Sequence, residues 1–594
     1  MCGIAGVFGY AKNSPPVDVG CLKKMNGAML SRGPDGQGTW KSDDNKIGLT
    51  HRRLSILDLS KSGAQPMQFK KGRLIITYNG EIYNFRELRK NLKANGHQFL
   101  SNSDTEVLLH LYDKYKLSMV NMLRGMFAFA IFDQEKKGLF LARDEFGIKP
   151  LYYADDGYSF RFASQVKALI AGGDIDTTRS AAGEAGFYVW GYVPDPWTMF
   201  KQVHSLPAGN TMWVDLNGAQ KPRQYFDVAQ EYRKAAEQPK IFDGELLRDA
   251  LKDTIKHHLI SDVPVGTFLS AGLDSATIVG LASEIREQKI RTVTLAFDRF
   301  EGTKFDEAQT AEKIATHYGT SHQTIRVKGS DFLNEYEKLC NAMDQPSIDG
   351  VNTYFISKIT AETGLKVALS GLGGDEFFGG YSSFHEIPQI ARITSNFPWL
   401  KKTGKGLRRV FSPYLSAITS PKYASVLEYG TTYPDLYLLR RAVFMPWELP
   451  SLMDPVSARE GWEELEECSA RTTQTEGIGS PRAQISVMEA CLYMRSQLLR
   501  DTDWAGMAHS LEIRVPLVDK LLFNILAPMI VSKNPPNKQD LTASLKKPLP
   551  REVLNRPKTG FAVPMRDWLL QRDPRATQRG FRGWAKQISK DCYK

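Results

Sequence analysis

Long apolar runs are missing from this chain. No window of its 594 residues approaches the roughly eighteen uninterrupted apolar side chains of a membrane-crossing helix, so no such helix is expected. The opening residues lack a basic stretch followed by an apolar one, which argues against a secretory leader and makes the cytoplasm the expected compartment. Cysteine is scarce. The six, at 2, 21, 340, 468, 491 and 592, show no CxxC pair and no metal-ligand spacing; their density is far below that of a disulfide scaffold, and no metal cage is expected. A recognisable nucleic-acid module is also missing, although the net charge is +11 and the excess lies late, at Arg566, Arg572, Arg575, Arg579, Arg582, Lys586, Lys590 and Lys594. Without a module, a solvated basic terminal face is the expectation and a nucleic-acid partner is not.

What is present is an ordinary globular composition, 42% apolar and 24% charged, on a chain too long for one core. Two large units suffice. The most informative residue is Cys2. Removal of the initiator methionine would leave a thiol and a free α-amine on one residue, and an α-amine titrates at about 7.7–8, low enough to serve as the thiol's base near neutral pH. A small buried residue opening a strand is the plainer alternative.

Four polar clusters follow, at Arg32-Gly33-Pro34-Asp35, His51-Arg52-Arg53-Leu54-Ser55-Ile56, Tyr78-Asn79-Gly80-Glu81-Ile82-Tyr83-Asn84 and Ser103-Asp104-Thr105-Glu106. Each alone is turn chemistry, Asn79-Gly80 above all. With Cys2 they resemble the class II glutamine amidotransferase domain, an N-terminal-nucleophile hydrolase, from residue 1 to about 215. The resemblance implies an αββα sandwich in which Cys2 attacks the glutamine side-chain amide. It implies an oxyanion hole of Asn79 and the Gly80 N–H, a clamp by Arg53 on the α-carboxylate, and Glu81 and Asp104 on the α-ammonium.

From 216 to 245 the chain turns polar and patternless, the expected linker, and then its grammar changes. Val265–Leu269, Thr292–Phe297 and Thr324–Val327 read as strands, and 276–285 and 306–318 as helices. This alternation predicts a parallel α/β sheet with ligands at the carboxyl ends of its strands. The loop Ser270-Ala271-Gly272-Leu273-Asp274-Ser275 joins a strand to a helix N-terminus, where N–H groups and the helix dipole favour anions. It lacks the Gly-Lys-Ser/Thr ending of a Walker A loop. A second glycine-rich loop, Ser370–Tyr381, follows the strand Lys366–Leu369 and carries Asp375; with Asp274 it offers two carboxylates suited to Mg²⁺ on ATP phosphates. Asp503–Asp519 and Arg556–Phe561 read neutrally as a capped helix end and a loop.

The first loop resembles the SGGxDS loop of ATP pyrophosphatases, with Ala271 for the first glycine. In order and content the later segments are similar to the C-terminal half of glutamine-dependent asparagine synthetases of type B. That resemblance implies a synthetase domain over 246–565 with a helical extension, followed by a basic tail over 566–594. It implies an ATP site at Leu269, Ser270, Gly272, Asp274, Ser275, Leu295, Ser370 and Gly371, Mg²⁺ on Asp274 and Asp375, and Lys538 as the residue that stabilises charge on the departing phosphates. Glutamine, ATP and aspartate are the implied partners, and a homodimer is compatible with it. The sequence departs from the family at three places. Leu372 stands where a Glu is usual, Thr542 where an Arg is, and Gln165 where a Glu often follows Ser164. Three readings stay open: an asparagine synthetase with an altered base, a related amidotransferase acting on another carboxylate, and a glutaminase joined to a nucleotide-sensing domain.

Overall fold

The run Gly3–Gly9 is buried along its whole length because its sheet is covered on both faces. That antiparallel sheet has the order Val203–Ser205, Tyr152–Asp155, Ser159–Ala163, Gly3–Gly9, Ile47–Arg53, Gly36–Lys41. In the computed structural model, which describes residues 2–394, 399, 404–406, 408–409, 420–467, 475–557, 563–572 and 581–593, a second antiparallel sheet lies against it. Its order is Gly218–Ala219, Asn210–Asp215, Gly138–Arg143, Gly125–Asp133, Leu74–Ile82, Met67–Phe69, with Arg223–Gln224 also beside Asn210–Asp215. Ile4, Phe8, Ile47 and Leu49 meet Ile75, Ala128, Leu139 and Leu141 in the apolar layer between the sheets. Helices Val19–Ala28 and Val166–Gly172 cover one outer face. Phe85–Ala94 and Asp104–Tyr115 cover the other, giving the αββα layering.

The second half holds five parallel strands in the order Ser321–Val327, Arg291–Phe297, Val265–Phe268, Val367–Leu369, Glu512–Arg514. Its inner strands read as unbroken apolar runs because helices lie on both faces. Leu247, Ile255, Ile278 and Ile314 belong to the core on one side, and Tyr336, Leu339, Phe355 and Trp504 to the core on the other. Among the described residues no helix is long and apolar enough to cross a membrane, and no group of three or more His, Cys, Asp or Glu is placed to hold a metal.

Three segments differ from expectation. The stretch 216–245 is not patternless: it contains the helix Val228–Glu237, whose Val228, Ala229, Tyr232 and Ala235 are buried. Val228, Ala229 and Tyr232 recur at helical spacing, a pattern that the polar residues around them hid. Asp503–Asp519 is more than a capped helix end: Glu512–Arg514 within it is a strand at the sheet edge. The described part of the basic tail is not a solvated face. In the helix Phe581–Asp591, Trp584, Ala585 and Ile588 are buried, Arg582 pairs with Glu448 at 2.7 Å, and Cys592 is disulfide-bonded to Cys340. An apolar stripe inside a basic segment docks, and the charges stay at its margins. Of the Arg556–Phe561 motif, residues 558–561 lie outside the described residues.

Candidate active sites

The first site forms where the strand Gly3–Gly9 begins. The Cys2 backbone N–H donates to Asn79 Oδ1 at 2.8 Å, and Arg32 Nε donates to the Cys2 carbonyl at 3.0 Å. Burial pushes the Cys2 thiol above its ordinary value, so a base must take its proton before it can act. Asn79 is fully buried in the strand Leu74–Ile82, and its Nδ2 has no hydrogen-bond acceptor among the described residues. A buried amide donor left free is what an oxyanion would use. At the next position a Cβ would strike the Met126 carbonyl of the adjoining strand, so only glycine fits at Gly80.

Cys2, Arg53, Gly80, Glu81 and Asp104 line one cleft. Asn79 stands behind it, on the Cys2 backbone. Arg53 closes the strand Ile47–Arg53, and its guanidinium donates to the carbonyls of Ser60 (2.9 Å), Leu57 (3.4 Å) and Asp58, which orients the fork. Asp104 opens its helix, and its Oδ2 accepts from the Tyr78 hydroxyl at 2.8 Å and the Ile82 N–H at 3.0 Å. Glu81 is buried with its Oε1 3.2 Å from Arg514 Nη2, a side chain of the other half. Burial, then the nearby Glu512, pushes Glu81 up, and burial raises Asp104. Two buried carboxylates short of positive charge suit an ammonium ligand.

The second site lies at the carboxyl ends of the parallel strands. Ser270 N–H donates to Ser275 Oγ at 3.1 Å and Gly272 N–H to Ser270 Oγ at 3.1 Å, which curls the first loop over the start of the helix Leu273–Ile285. Gly272 has φ −81° and Ala271 is not among the positive-φ residues. The alanine in place of the first glycine is therefore unstrained. Leu269 and Leu295 are buried, and their side chains belong to the cores on opposite sides of the sheet. The second loop packs directly on the first. A Cβ on Gly374 would sit 2.5 Å from Asp274 Cγ, and one on Gly371 would sit 2.8 Å from the Ser275 nitrogen. Ser370 N–H donates to the Arg514 carbonyl at 2.8 Å.

Between the loops stands Lys538, at the start of the helix Lys538–Ala543. Its Nζ lies 2.5 Å from Asp274 Oδ2 and 2.8 Å from Asp375 Oδ1. Against the cost of burial, these two carboxylates hold Lys538 above its ordinary value. The three residues singled out from segments far apart in sequence thus share one point. The departures also have places. Leu372 packs partly on the core, Thr542 is buried with Oγ1 donating to the Gln539 carbonyl at 2.9 Å, and Gln165 is buried with Oε1 lacking a donor among the described residues.

Sequence reasoning missed Arg514, Glu512 and Asp503. Arg32 is fully buried and pairs with Asp503 at 2.6 Å, while Arg514 Nε donates to Glu512 Oε1 at 2.6 Å. No local signal pairs position 32 with 503 or 81 with 514. Two charged residues flanking Ile513 were the one hint.

Comparison with known proteins agrees with this geometry. Residues 1–226 match the model of a glutamine amidotransferase domain, and residues 246–580 that of asparagine synthase. Asparagine synthetase [glutamine-hydrolyzing] 1 of Bacillus subtilis is 33% identical over 96% of this chain and 88% of its own length. Asparagine synthetase [glutamine-hydrolyzing] 3 of the same organism is 30% identical, over 94% and 87%. Amidase chry2 of Gibberella zeae is 29% identical over 65% of this chain and 60% of its own length. Fold, sites and likeness define a glutamine-hydrolysing, ATP-dependent ligase acting on small molecules. The chain belongs to the family of glutamine-hydrolysing asparagine synthetases.

Proposed function

We propose that the chain makes asparagine from aspartate, with ammonia drawn from glutamine. The supporting observation is the meeting of Asp274, Asp375 and Lys538 between two interlocked glycine loops, together with a separate cleft that gathers Cys2, Arg53, Glu81 and Asp104. In this reading residues 1–215 form the glutaminase, 216–245 the connection, 246–565 the synthetase and 566–594 the terminal extension.

The Cys2 α-amine takes the thiol proton and the thiolate attacks the glutamine amide carbon. Asn79 Nδ2 and the Gly80 N–H stabilise the oxyanion, a contribution worth about 10²–10³ in rate per donor. The α-ammonium returns that proton to the departing nitrogen, ammonia leaves, and water releases glutamate from the thioester. Arg53 holds the substrate carboxylate, and Glu81 and Asp104 hold its ammonium. Ammonia set free in neutral water would be protonated and lose its nucleophilicity, so it passes inside the protein to the second site.

There the first loop and the helix start behind it receive the ATP phosphates. Asp274 and Asp375 already share one cation, the Lys538 ammonium, so their oxygens fit Mg²⁺, which takes one or two protein carboxylates and completes its shell with phosphate oxygens and water. When bound, Mg²⁺ would neutralise charge on the phosphates as the α–β bond breaks. The aspartate side-chain carboxylate attacks the α-phosphorus and pyrophosphate leaves, with Lys538 facing the departing charge. Ammonia then displaces AMP and gives up a proton. Leu372 cannot accept that proton, so another group or water does.

A second reading, amidation of a different carboxylate, is favoured by Leu372, an apolar side chain where the family usually has an acid, and by the name of one relative, an amidase. The test is incubation with ATP, Mg²⁺ and glutamine, with and without aspartate. Aspartate-dependent release of pyrophosphate with asparagine as product is the expected result. Glutamine hydrolysis without any response to aspartate would select the second reading.

A further inference from the structure

We propose that Arg514, a side chain of the ATP-dependent half, is a positioning residue of the glutaminase, orienting the Glu81 carboxylate that receives the glutamine ammonium. The proposal rests on the amidotransferase reading of the first site and adds to it a residue from the other half of the chain.

The guanidinium is held so that only one side can serve Glu81. Nε donates to Glu512 Oε1 at 2.6 Å, and Nη1 donates to the carbonyls of His258 and Ile260 at 2.7 and 2.6 Å. What remains is Nη2, which makes an ion-pair contact with Glu81 Oε1 at 3.2 Å, outside hydrogen-bond geometry, and bonds no other described residue. Arg514 is wholly buried, and a carboxylate, a strand edge and two backbone carbonyls fix it on three sides. Glu81 is therefore the partner that adjusts.

Two carboxylates share this one guanidinium, and Glu512 has the closer contact. Glu81 is left partly uncompensated beside Cys2 and Asp104, in the cleft wall. An entering ammonium supplies the missing charge. A point charge could attract Glu81, but only a planar fork can turn one nitrogen toward it while its others bond Glu512 and two carbonyls.

The same residue reaches the second site through its main chain. Arg514 pairs in register with Leu369, and its carbonyl accepts the Ser370 N–H at the head of the second loop. An independent arm runs from Asp503 through Arg32 to the Cys2 carbonyl. The segment 503–514 thus braces both the nucleophile and the ammonium receptor from outside their own domain.

The experiment uses the full chain and two readouts, steady-state glutamine hydrolysis and protection of Cys2 from iodoacetamide by glutamine, followed by mass. Hydrolysis by the unmodified protein tests the amidotransferase reading first, so failure there is distinct from failure of this inference. Arg514→Lys keeps the charge and loses the fork. It is expected to raise the glutamine KM, and the glutamine concentration that protects Cys2, by about 10–100-fold, with kcat within about threefold. In a Glu81→Gln background the same substitution should add little, since the two residues act as one unit. Arg514→Gln should show the same split; if it does not fold, Arg514→Lys carries the test alone. Protection at the unmodified protein's glutamine concentration, a fall in kcat with KM unchanged, or additive losses with Glu81→Gln would overturn the proposal.

Discussion

At the scale of single residues, each site rests on a few groups whose surroundings prepare them. Cys2 serves only the first, so Cys2→Ala is expected to abolish glutamine-supported amide synthesis and leave ammonia-supported synthesis largely intact. Product measurement with each nitrogen source checks this, and loss of both activities in a folded variant would contradict the two-site arrangement. Asp274→Asn removes one negative partner of Lys538 and half of the proposed Mg²⁺ ligand set. Pyrophosphate release should fall by about 10²-fold or more while glutamine hydrolysis persists. Leu372→Glu addresses the missing base. If aspartate is the acceptor, the variant should form more amide per pyrophosphate when ammonia is limiting, since a positioned base contributes about 10²–10⁴. A fall in pyrophosphate release would instead mark Leu372 as a wall of the acceptor pocket, where a carboxylate is costly.

At the scale of elements, the C-terminal helix Phe581–Asp591 carries the clearest energetic prediction. Trp584 is fully buried against Phe332 and Tyr336, and its Nε1 donates to the Ile348 carbonyl at 3.1 Å. Trp584→Ala should cost about 3–5 kcal/mol, read as a lowered denaturant midpoint. The strands at Val265, Thr292 and Val367 were legible in the sequence because β-branched and apolar residues run unbroken there. Glu512–Arg514 was not, because Glu-Ile-Arg becomes a buried strand only when its two charges meet each other and Glu81. The helix Val228–Glu237 was hidden by its charges, although Val228, Ala229 and Tyr232 stand at helical spacing. The candidate glutamine residues were legible through a familiar order of motifs. Their bracing from the second half was not, since contacts between residues more than four hundred positions apart leave no local pattern.

At the scale of the whole molecule, ion pairs between the halves recur: Arg32 with Asp503, Arg124 with Asp519, Lys366 with Asp35, Lys520 with Glu145 and Arg514 with Glu81. Of these, Arg32–Asp503 is the most enclosed, with both side chains nearly inaccessible. Removing one partner leaves a buried charge, a loss of about 3–5 kcal/mol for such pairs. Asp503→Asn should lower the thermal midpoint and, because Arg32 also holds the Cys2 carbonyl, slow glutamine hydrolysis. Paired melting and glutaminase assays test this, and a change in one without the other would separate the two roles.

The strand Glu512–Arg514 is the last of its parallel sheet, three residues long; Glu81 of the first half reaches it at Arg514, while Arg32 and Asp35 pair with Asp503 and Lys366 on the segments leading into this strand and its neighbour. An uncovered strand edge is a template on which further strands can add. The glutaminase therefore also flanks its neighbour's last strand, at Glu81. Expressed as 246–594 alone, the second half would lose the Glu81 partner of Arg514 and bare that strand, and it should self-associate on sizing chromatography more than the full chain does.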